Sequence, residues 1–207
     1  MKIIQSFNTF GGERMTAGFK TKRAMLEYLA ESYDVHKHYD YMMYTDMHGA
    51  VLLKKIIAEH HITIVEFPII ARDRIPYIGK FIAQAHQSKQ YIHVDIDAKL
   101  LELPTNQTDV YCEKLEGRSL GYEVSELKIN TSEINKIPCS ALIGFTDMQF
   151  KDLYISEVYK LIELSSKIHR LNYRHCWAIE EVKLAELIHI NKKTVSETVN
   201  EHLHALK

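Results

Sequence analysis

At 207 residues the chain is long enough for one well-filled hydrophobic core, and a hydrophobic content of 46% excludes wholesale disorder. Its 26 basic and 27 acidic side chains nearly cancel, so charge does not favour a nucleic-acid or acidic-membrane partner. Cys112, Cys139 and Cys176 are odd in number and widely spaced, and no apolar run reaches spanning length, so we expect a cytoplasmic protein with reduced thiols and no membrane partner.

Short apolar runs alternate with amphipathic segments through the first half of the chain. Runs rich in Ile, Val and Tyr are typical of buried strands, whereas apolar residues three and four apart are typical of helices. In chain order the patterns predict a strand at 2–7, a glycine-containing loop at 8–18, a helix at 19–32, a strand at 39–46, a helix at 49–60, a strand at 61–67, a helix at 76–88 and a strand that ends on Asp95 and Asp97.

The second half is less regular. Residues 105–137 are polar and mixed, with no Pro- or Ser-rich linker that would mark a boundary. A strand is predicted at 139–145, a long helix at 147–168 and a second helix at 177–190. We therefore expect a single domain over 1–207.

Strands that alternate with helices predict βαβ units, and hence an α/β fold with a mostly parallel, Rossmann-like sheet flanked by helices. In open sheets of this kind, ligands bind beyond the carboxyl ends of the strands. Asp46, Asp95 and Asp97 all follow such strand ends. The pattern therefore predicts a ligand site at this edge of the sheet.

The spacing of Asp95 and Asp97 favours a particular ligand chemistry. Two aspartates separated by one residue can converge on one ligand where the strand ends and the chain turns. Carboxylates are the ligands preferred by Mg²⁺ and Mn²⁺, ions that also bind diphosphates. The alternative is an ordinary solvated strand end, which is the more frequent meaning of such a pair taken alone.

The segment "YIHVDIDAKLLELP" resembles the DXD region of glycosyltransferases with the GT-A fold, in particular a group of bacterial glycosyltransferase-like proteins. Further segments resemble parts of the same family, in the family's order, and together they cover nearly the whole chain. They are "MKIIQSF" for the first strand, "MMYTDMHGAVLL" for a strand end and glycine-containing turn, "IGKFIAQAHQSKQYIHVD" for a lysine-bearing helix, "CSALIGFTDMQFKDLY" for the acceptor-side strand and helix, "WAIEEVKLAEL" for a helix with an acidic pair, and "EHLHALK" for a terminal His/Lys signature with Ala205 in place of glycine.

This resemblance implies a metal-dependent glycosyltransferase whose donor is a nucleotide-sugar, with a UDP-sugar expected first. It implies a nucleotide-binding half at 1–104 and an acceptor-side half with the C-terminal tail at 105–207. The tail and the acidic pair resemble retaining members more than inverting ones. The acceptor stays open among a small molecule, a protein side chain and a modified nucleobase.

The resemblance also assigns roles to individual residues. A Mn²⁺ or Mg²⁺ ion would be held by three side chains, and the donor and the reacting centre by others. The metal ligands would be Asp95, Asp97 and His202; the donor contacts Asp46, Lys80, Asp95 and Lys207; and the catalytic carboxylates Glu180 and Glu181.

Two alternatives remain. Residues 182–204 have apolar positions similar to those of a helix-turn-helix DNA-binding protein, with Thr194 and Ser196 available for phosphate contacts. Against this, Glu197 and Glu201 fall in the would-be recognition helix. The other alternative is a catalytically inactive GT-A-like binding protein, because several family positions are altered.

Overall fold

The computed structural model describes residues 1–9, 19, 21–66, 78–117, 122–165 and 173–202. Its strands are β1 (Lys2–Phe7), β2 (Asp40–Thr45), β3 (Ile62–Ile64), β4 (Tyr91–Val94), β5 (Ala98–Leu100), β6 (Val110–Cys112), β7 (Leu115–Glu116), β8 (Ile137–Pro138), β9 (Leu142–Phe145), β10 (Val195–Glu197) and β11 (Asn200–His202). Its helices are α1 (Lys22–His36), α2 (Met47–Leu53), a 3₁₀ turn (Glu59–His61), α3 (Ile78–Ala85), α4 (Tyr122–Glu126), α5 (Met148–Ser165), α6 (Tyr173–Trp177), a π-helical turn (Ala178–Val182) and α7 (Lys183–Ile190).

Seven strands form one mixed, mostly parallel sheet in the order β10-β6-β9-β4-β1-β2-β3. The pairs β4–β1, β1–β2, β2–β3 and β10–β6 are parallel, whereas β9 runs antiparallel to both β4 and β6. Two small antiparallel pairs, β11–β5 and β7–β8, lie outside it. The predicted α/β class is confirmed, and the antiparallel direction of β9 is the feature that the sequence pattern did not indicate.

Both faces of the central strands are covered, which explains why their sequences do not alternate between apolar and polar residues. Ile3 and Ile92 belong to the core on the α1 side. Ile4 and Ile143 belong to the core beneath α3, α5 and α7. The carboxyl ends of β1, β2 and β4 consequently lie at one edge of a rigid layer.

The predicted elements of the first half are confirmed with shifted ends. The predicted helix at 49–60 is α2, which begins two residues earlier because the side chain of Asp46 caps it by accepting a hydrogen bond from the amide of Gly49. It also ends sooner, at Leu53. No helix in the described residues is long and apolar enough to cross a bilayer.

The helix-turn-helix alternative is wrong. After α7 the chain forms β10 and β11, so the segment that would be the recognition helix is extended. β10 joins the edge of the main sheet beside β6. Thr194 caps no second helix; its hydroxyl donates to Asp109.

The end of α1 holds the short strand β5 in place. His36 is fully buried, and its Nε2 atom accepts a hydrogen bond of 3.0 Å from the amide of Leu100. Ser32, one turn earlier, donates to the carbonyl oxygen of Ala98. Burial and the nearby Lys99 lower the pKa of His36 to about 4. The ring is therefore neutral at pH 7, with its acceptor nitrogen engaged.

We expect the free energy of unfolding to decrease as the pH falls from 6.5 towards 4, because the unfolded chain then binds a proton that folded His36 excludes. A pKa of about 4 in place of 6.5 corresponds to about 3 kcal/mol across this window. In urea unfolding, His36→Gln should cost stability at pH 7 and progressively less at lower pH. His189→Gln, at an exposed side chain, is the control and should keep the wild-type pH dependence; equal pH dependence in all three proteins would contradict the assignment.

Candidate functional site

The turn between β4 and β5 carries the two aspartates, and its backbone is fixed on three sides. The amide of Asp95 donates to the carbonyl oxygen of Ala141 at 2.8 Å. The carbonyl oxygen of Asp95 accepts from the amide of Ala98 and from the side-chain amide of Gln5. The side chain of Asp95 is 31% exposed, whereas Asp97 is buried at 7%. The turn thus presents one carboxylate to solvent and keeps the other inside.

Lys80 of α3 lies against this turn. It is 3% exposed, and its ammonium contacts Asp95 Oδ1 at 3.0 Å and Glu180 Oε1 at 2.5 Å. It also donates a hydrogen bond to the carbonyl oxygen of Ser140. Burial alone would lower the pKa of Lys80, but the two carboxylates raise it above its ordinary value. The ammonium therefore stays charged inside the protein.

Negative charge exceeds positive charge at this point. Desolvation by the surrounding protein, followed by the charges of Glu180 and Asp97, raises the pKa of Asp95, and Lys80 only partly opposes the shift. One ammonium thus contacts two carboxylates, and a third, Asp97, lies close enough to raise the pKa of Asp95. A second positive charge near these carboxylates would relieve the repulsion among them.

A buried histidine connects Asp95 with the end of β1. His93 Nε2 lies 2.9 Å from the hydroxyl oxygen of Ser6, and its Nδ1 lies 3.5 Å from Asp95 Oδ1. Burial, aided by the charge of Lys80, lowers the pKa of His93 well below its ordinary range. A neutral ring therefore lies between Ser6 of β1 and Asp95, which follows the adjacent strand β4.

The two glutamates of the π-helical turn contact different partners. Glu180 contacts Lys80. Glu181 Oε1 accepts hydrogen bonds from the amide and the hydroxyl of Ser140, at 2.9 and 3.0 Å. Its Oε2 accepts from the indole nitrogen of Trp177. Of the two carboxylates, Glu180 is the one brought beside Lys80 and Asp95.

The remaining predicted residues are Asp46, His202 and Lys207. Asp46, besides capping α2, accepts from the amide and the hydroxyl of Thr9, so its carboxylate is engaged by protein donors. The backbone of His202 pairs with Ala98, directly after Asp97. Lys207, like the predicted loop residues 10–18, lies outside the described residues.

Within the described ranges no group of three His, Cys, Asp or Glu side chains is already arranged to hold a metal ion. The side chain of His202 is not among those described. The structure therefore brings Asp95 together with Lys80 and Glu180, and brings the backbone of His202 beside the aspartate turn.

Sequence analysis missed Ser140, Ser6, Gln5 and Trp177. Each helps to hold the site through a contact with a residue 4 to 90 positions away. Gln5 donates to the carbonyl oxygen of Asp95 across 90 residues, and Trp177 donates to Glu181 across four. These side chains lie in segments that resemble parts of the glycosyltransferase family, but the resemblance assigned them no role. Ser140 in particular follows Cys139 in what looks, from composition, like an ordinary strand.

Comparison with solved structures identifies the fold. The galactosyltransferase LgtC in complex with donor and acceptor sugar analogues superposes with a TM-score of 0.52 at 10% identity, over 95% of this chain and 73% of that one. An active-site mutant of LgtC gives 0.50 at 10% identity, over 86% and 69%. No protein-family model matches the sequence, nor does any curated protein.

The chain has a GT-A-like fold. This confirms the fold expected from the DXD resemblance. At 10% identity the likeness to LgtC concerns the fold alone.

We expect Lys80→Met to reduce the free energy of unfolding by about 3–5 kcal/mol, because it leaves Asp95 and Glu180 facing each other without a cation. The loss should shrink as the pH is lowered and the carboxylates protonate. Urea unfolding at several pH values measures both effects.

Lys151→Met is the matched control for this prediction. Lys151 is equally buried at 3%, but the carboxylate that it contacts, Asp152, is 72% exposed and keeps its hydration. A loss for Lys80→Met no greater than that for Lys151→Met would show that the buried ion cluster is not what stabilises this region.

Proposed function

We propose that the protein is a glycosyltransferase that moves a sugar from a nucleoside-diphosphate sugar, a UDP-sugar first, to an acceptor hydroxyl or amine. One observation supports this most strongly. A carboxylate at the end of a central parallel strand lies beside a buried ammonium and a second carboxylate, in a fold of the GT-A type. In open α/β sheets this edge is where ligands bind.

The proposal includes a divalent cation, Mn²⁺ or Mg²⁺. The excess of carboxylates over ammonium around Asp95 fits such an ion, and Asp95, Asp97 and His202 are the residues that would hold it. When bound, the ion would neutralise charge on the departing diphosphate. The preference for manganese and the identity of the third ligand belong to the proposal.

The chain's own residues would act at the donor. The bond that breaks joins the anomeric carbon to the diphosphate oxygen, the bond that forms joins the same carbon to the acceptor, and the acceptor's proton would pass to the departing diphosphate. Lys80 supplies a fixed positive charge that costs no reorganisation during the reaction. Glu180, held against Lys80 at 2.5 Å, would face the sugar and orient its hydroxyl groups. We propose retention of the anomeric configuration and a small molecule, a protein side chain or a modified nucleobase as acceptor.

A screen of nucleotide-sugars tests the donor. Purified protein incubated with UDP-, GDP-, CDP- and dTDP-sugars should hydrolyse at least one of them slowly in the presence of Mn²⁺ and much less with EDTA. Nucleoside diphosphate release is the measurement. Binding of a nucleotide-sugar without any turnover would instead favour the inactive GT-A-like binding protein, and no binding at all would remove the proposal.

Asp97→Asn should abolish the Mn²⁺-dependent part of UDP binding, measured by calorimetry, because a carboxamide is a poorer ligand for a hard cation than a carboxylate. His202→Ala should weaken the same component, because its backbone lies opposite Ala98 in the β5–β11 pair. The controls are Asp152→Asn and His189→Ala, both on exposed side chains. Unchanged affinity in Asp97→Asn would remove the metal from the proposal.

A further inference from the structure

The loop between β8 and β9 contacts the charged cluster through its backbone. The carbonyl oxygen of Ser140 accepts a hydrogen bond from the ammonium of Lys80, and the carbonyl oxygen of Ala141 accepts one from the amide of Asp95. Two successive carbonyl groups therefore fix one ammonium and one aspartate. A displacement of this loop would move both.

Glu181 holds the same loop from the other side. Both donors of Ser140 reach one of its oxygens, and the indole of Trp177 reaches the other. Ser140 is 4% exposed and Glu181 is 6% exposed. Charge-assisted hydrogen bonds of this kind are about twice as strong as neutral ones. The carboxylate is thus a fixed anchor for the peptide groups of residues 140 and 141.

The helical backbone explains why the two adjacent glutamates differ. Glu180 and Glu181 are consecutive residues of the π-helical turn, so their side chains leave the backbone in different directions and reach different partners. Glu180 faces Lys80, whereas Glu181 faces Ser140. Glu181 accepts hydrogen bonds from an amide, a hydroxyl and an indole, so both of its carboxylate oxygens face protein groups.

We propose that Glu181 is a positioning residue that acts through Ser140 to place Lys80 and Asp95, and that Glu180 is the carboxylate of the pair that contacts substrate. This replaces the shared catalytic role expected for the two. The kinetic part of the proposal rests on the proposed function, whereas its structural part does not.

Glu181→Gln is the informative substitution. A glutamine has one acceptor oxygen and one donor NH₂ group, so either the indole of Trp177 or the two donors of Ser140 must face another donor. The loop then has to shift, and the Ser140 carbonyl shifts with it. Ser140→Ala removes only the hydroxyl donor and should give a smaller change in the same direction.

Glu186→Gln is the matched control. Glu186 is also 6% exposed, lies on the following helix α7, and accepts a hydrogen bond from a loop amide, that of Asn130, at 2.7 Å. It contacts Lys183 rather than any part of the Lys80 cluster. Its substitution therefore reproduces the loss of a buried carboxylate without disturbing Ser140.

Nuclear magnetic resonance of lysine ammonium groups gives a readout that does not depend on activity. The buried Lys80 ammonium should give a distinct ¹H–¹⁵N signal, assigned by its loss in Lys80→Arg. In Glu181→Gln and, less, in Ser140→Ala this signal should move or broaden, while Glu186→Gln leaves it in place. An unchanged signal in Glu181→Gln, or an equal shift in Glu186→Gln, would overturn the proposal.

With a donor found by the nucleotide-sugar screen, Glu181→Gln should lower kcat by about 10- to 100-fold with little change in KM, as expected for a small misplacement of charged groups. Glu186→Gln should leave both parameters near wild type. A rise in KM with kcat unchanged would indicate that Glu181 contacts the donor, against the proposal. If no nucleotide-sugar reacts or binds, the proposed function fails, and the ammonium signal alone decides the role of Glu181.

Discussion

The charge of Lys80, buried inside the protein, is the constraint on which the rest of the structure depends. An ammonium without partners in this position would be very unfavourable, so the fold has to bring acceptors to it. They come from three distant parts of the chain: Asp95 after β4, Ser140 before β9, and Glu180 in the π-helical turn. The antiparallel insertion of β9 beside β4 is what brings the loop at Ser140 within reach. The ion cluster therefore depends on the sheet order.

Much of this could be predicted from sequence. Strands β1, β2 and β4 are apolar on both faces, and the helices between them repeat at helical spacing, which fixes the parallel half of the sheet. Because parallel strands end at one edge, the strand pattern predicts Asp95 at a ligand site, whereas only the family resemblance places the lysine-bearing helix beside it. The ion contacts of Lys80 with Asp95 and Glu180 place these residues together, although their roles in catalysis remain predictions.

The rest could not be predicted, for physical reasons that differ between residues. Strands β5, β7, β8, β10 and β11 are two or three residues long, too short to show any periodicity, and they form only because a neighbouring strand supplies the hydrogen bonds. Because β10 and β11 are so short, the sequence of residues 182–204 shows no strand pattern, and its apolar positions resemble those of a helix-turn-helix. Asp46 stands at a strand end, as expected, but its carboxylate caps α2 and holds Thr9. Glu181 and Ser140 are 41 residues apart, and nothing local indicates their contact.

The negative charges around Asp95 would have opposite effects on the stability of the fold and on the binding of a cation. Asp95, Asp97 and Glu180 repel one another, and this repulsion, together with desolvation, raises the pKa of Asp95. Without a ligand, this shift lowers the stability of the fold as the pH rises from about 4 towards 7, because the carboxyl group must give up a proton that it holds more tightly in the folded state than in the unfolded chain. A bound cation would reverse the effect and favour the ionised carboxylate. In the proposed function, relief of this repulsion would contribute to the affinity for a cation. Lys80 offsets only part of the repulsion, because its ammonium contacts Asp95 and Glu180 while Asp97 adds a further negative charge beside Asp95.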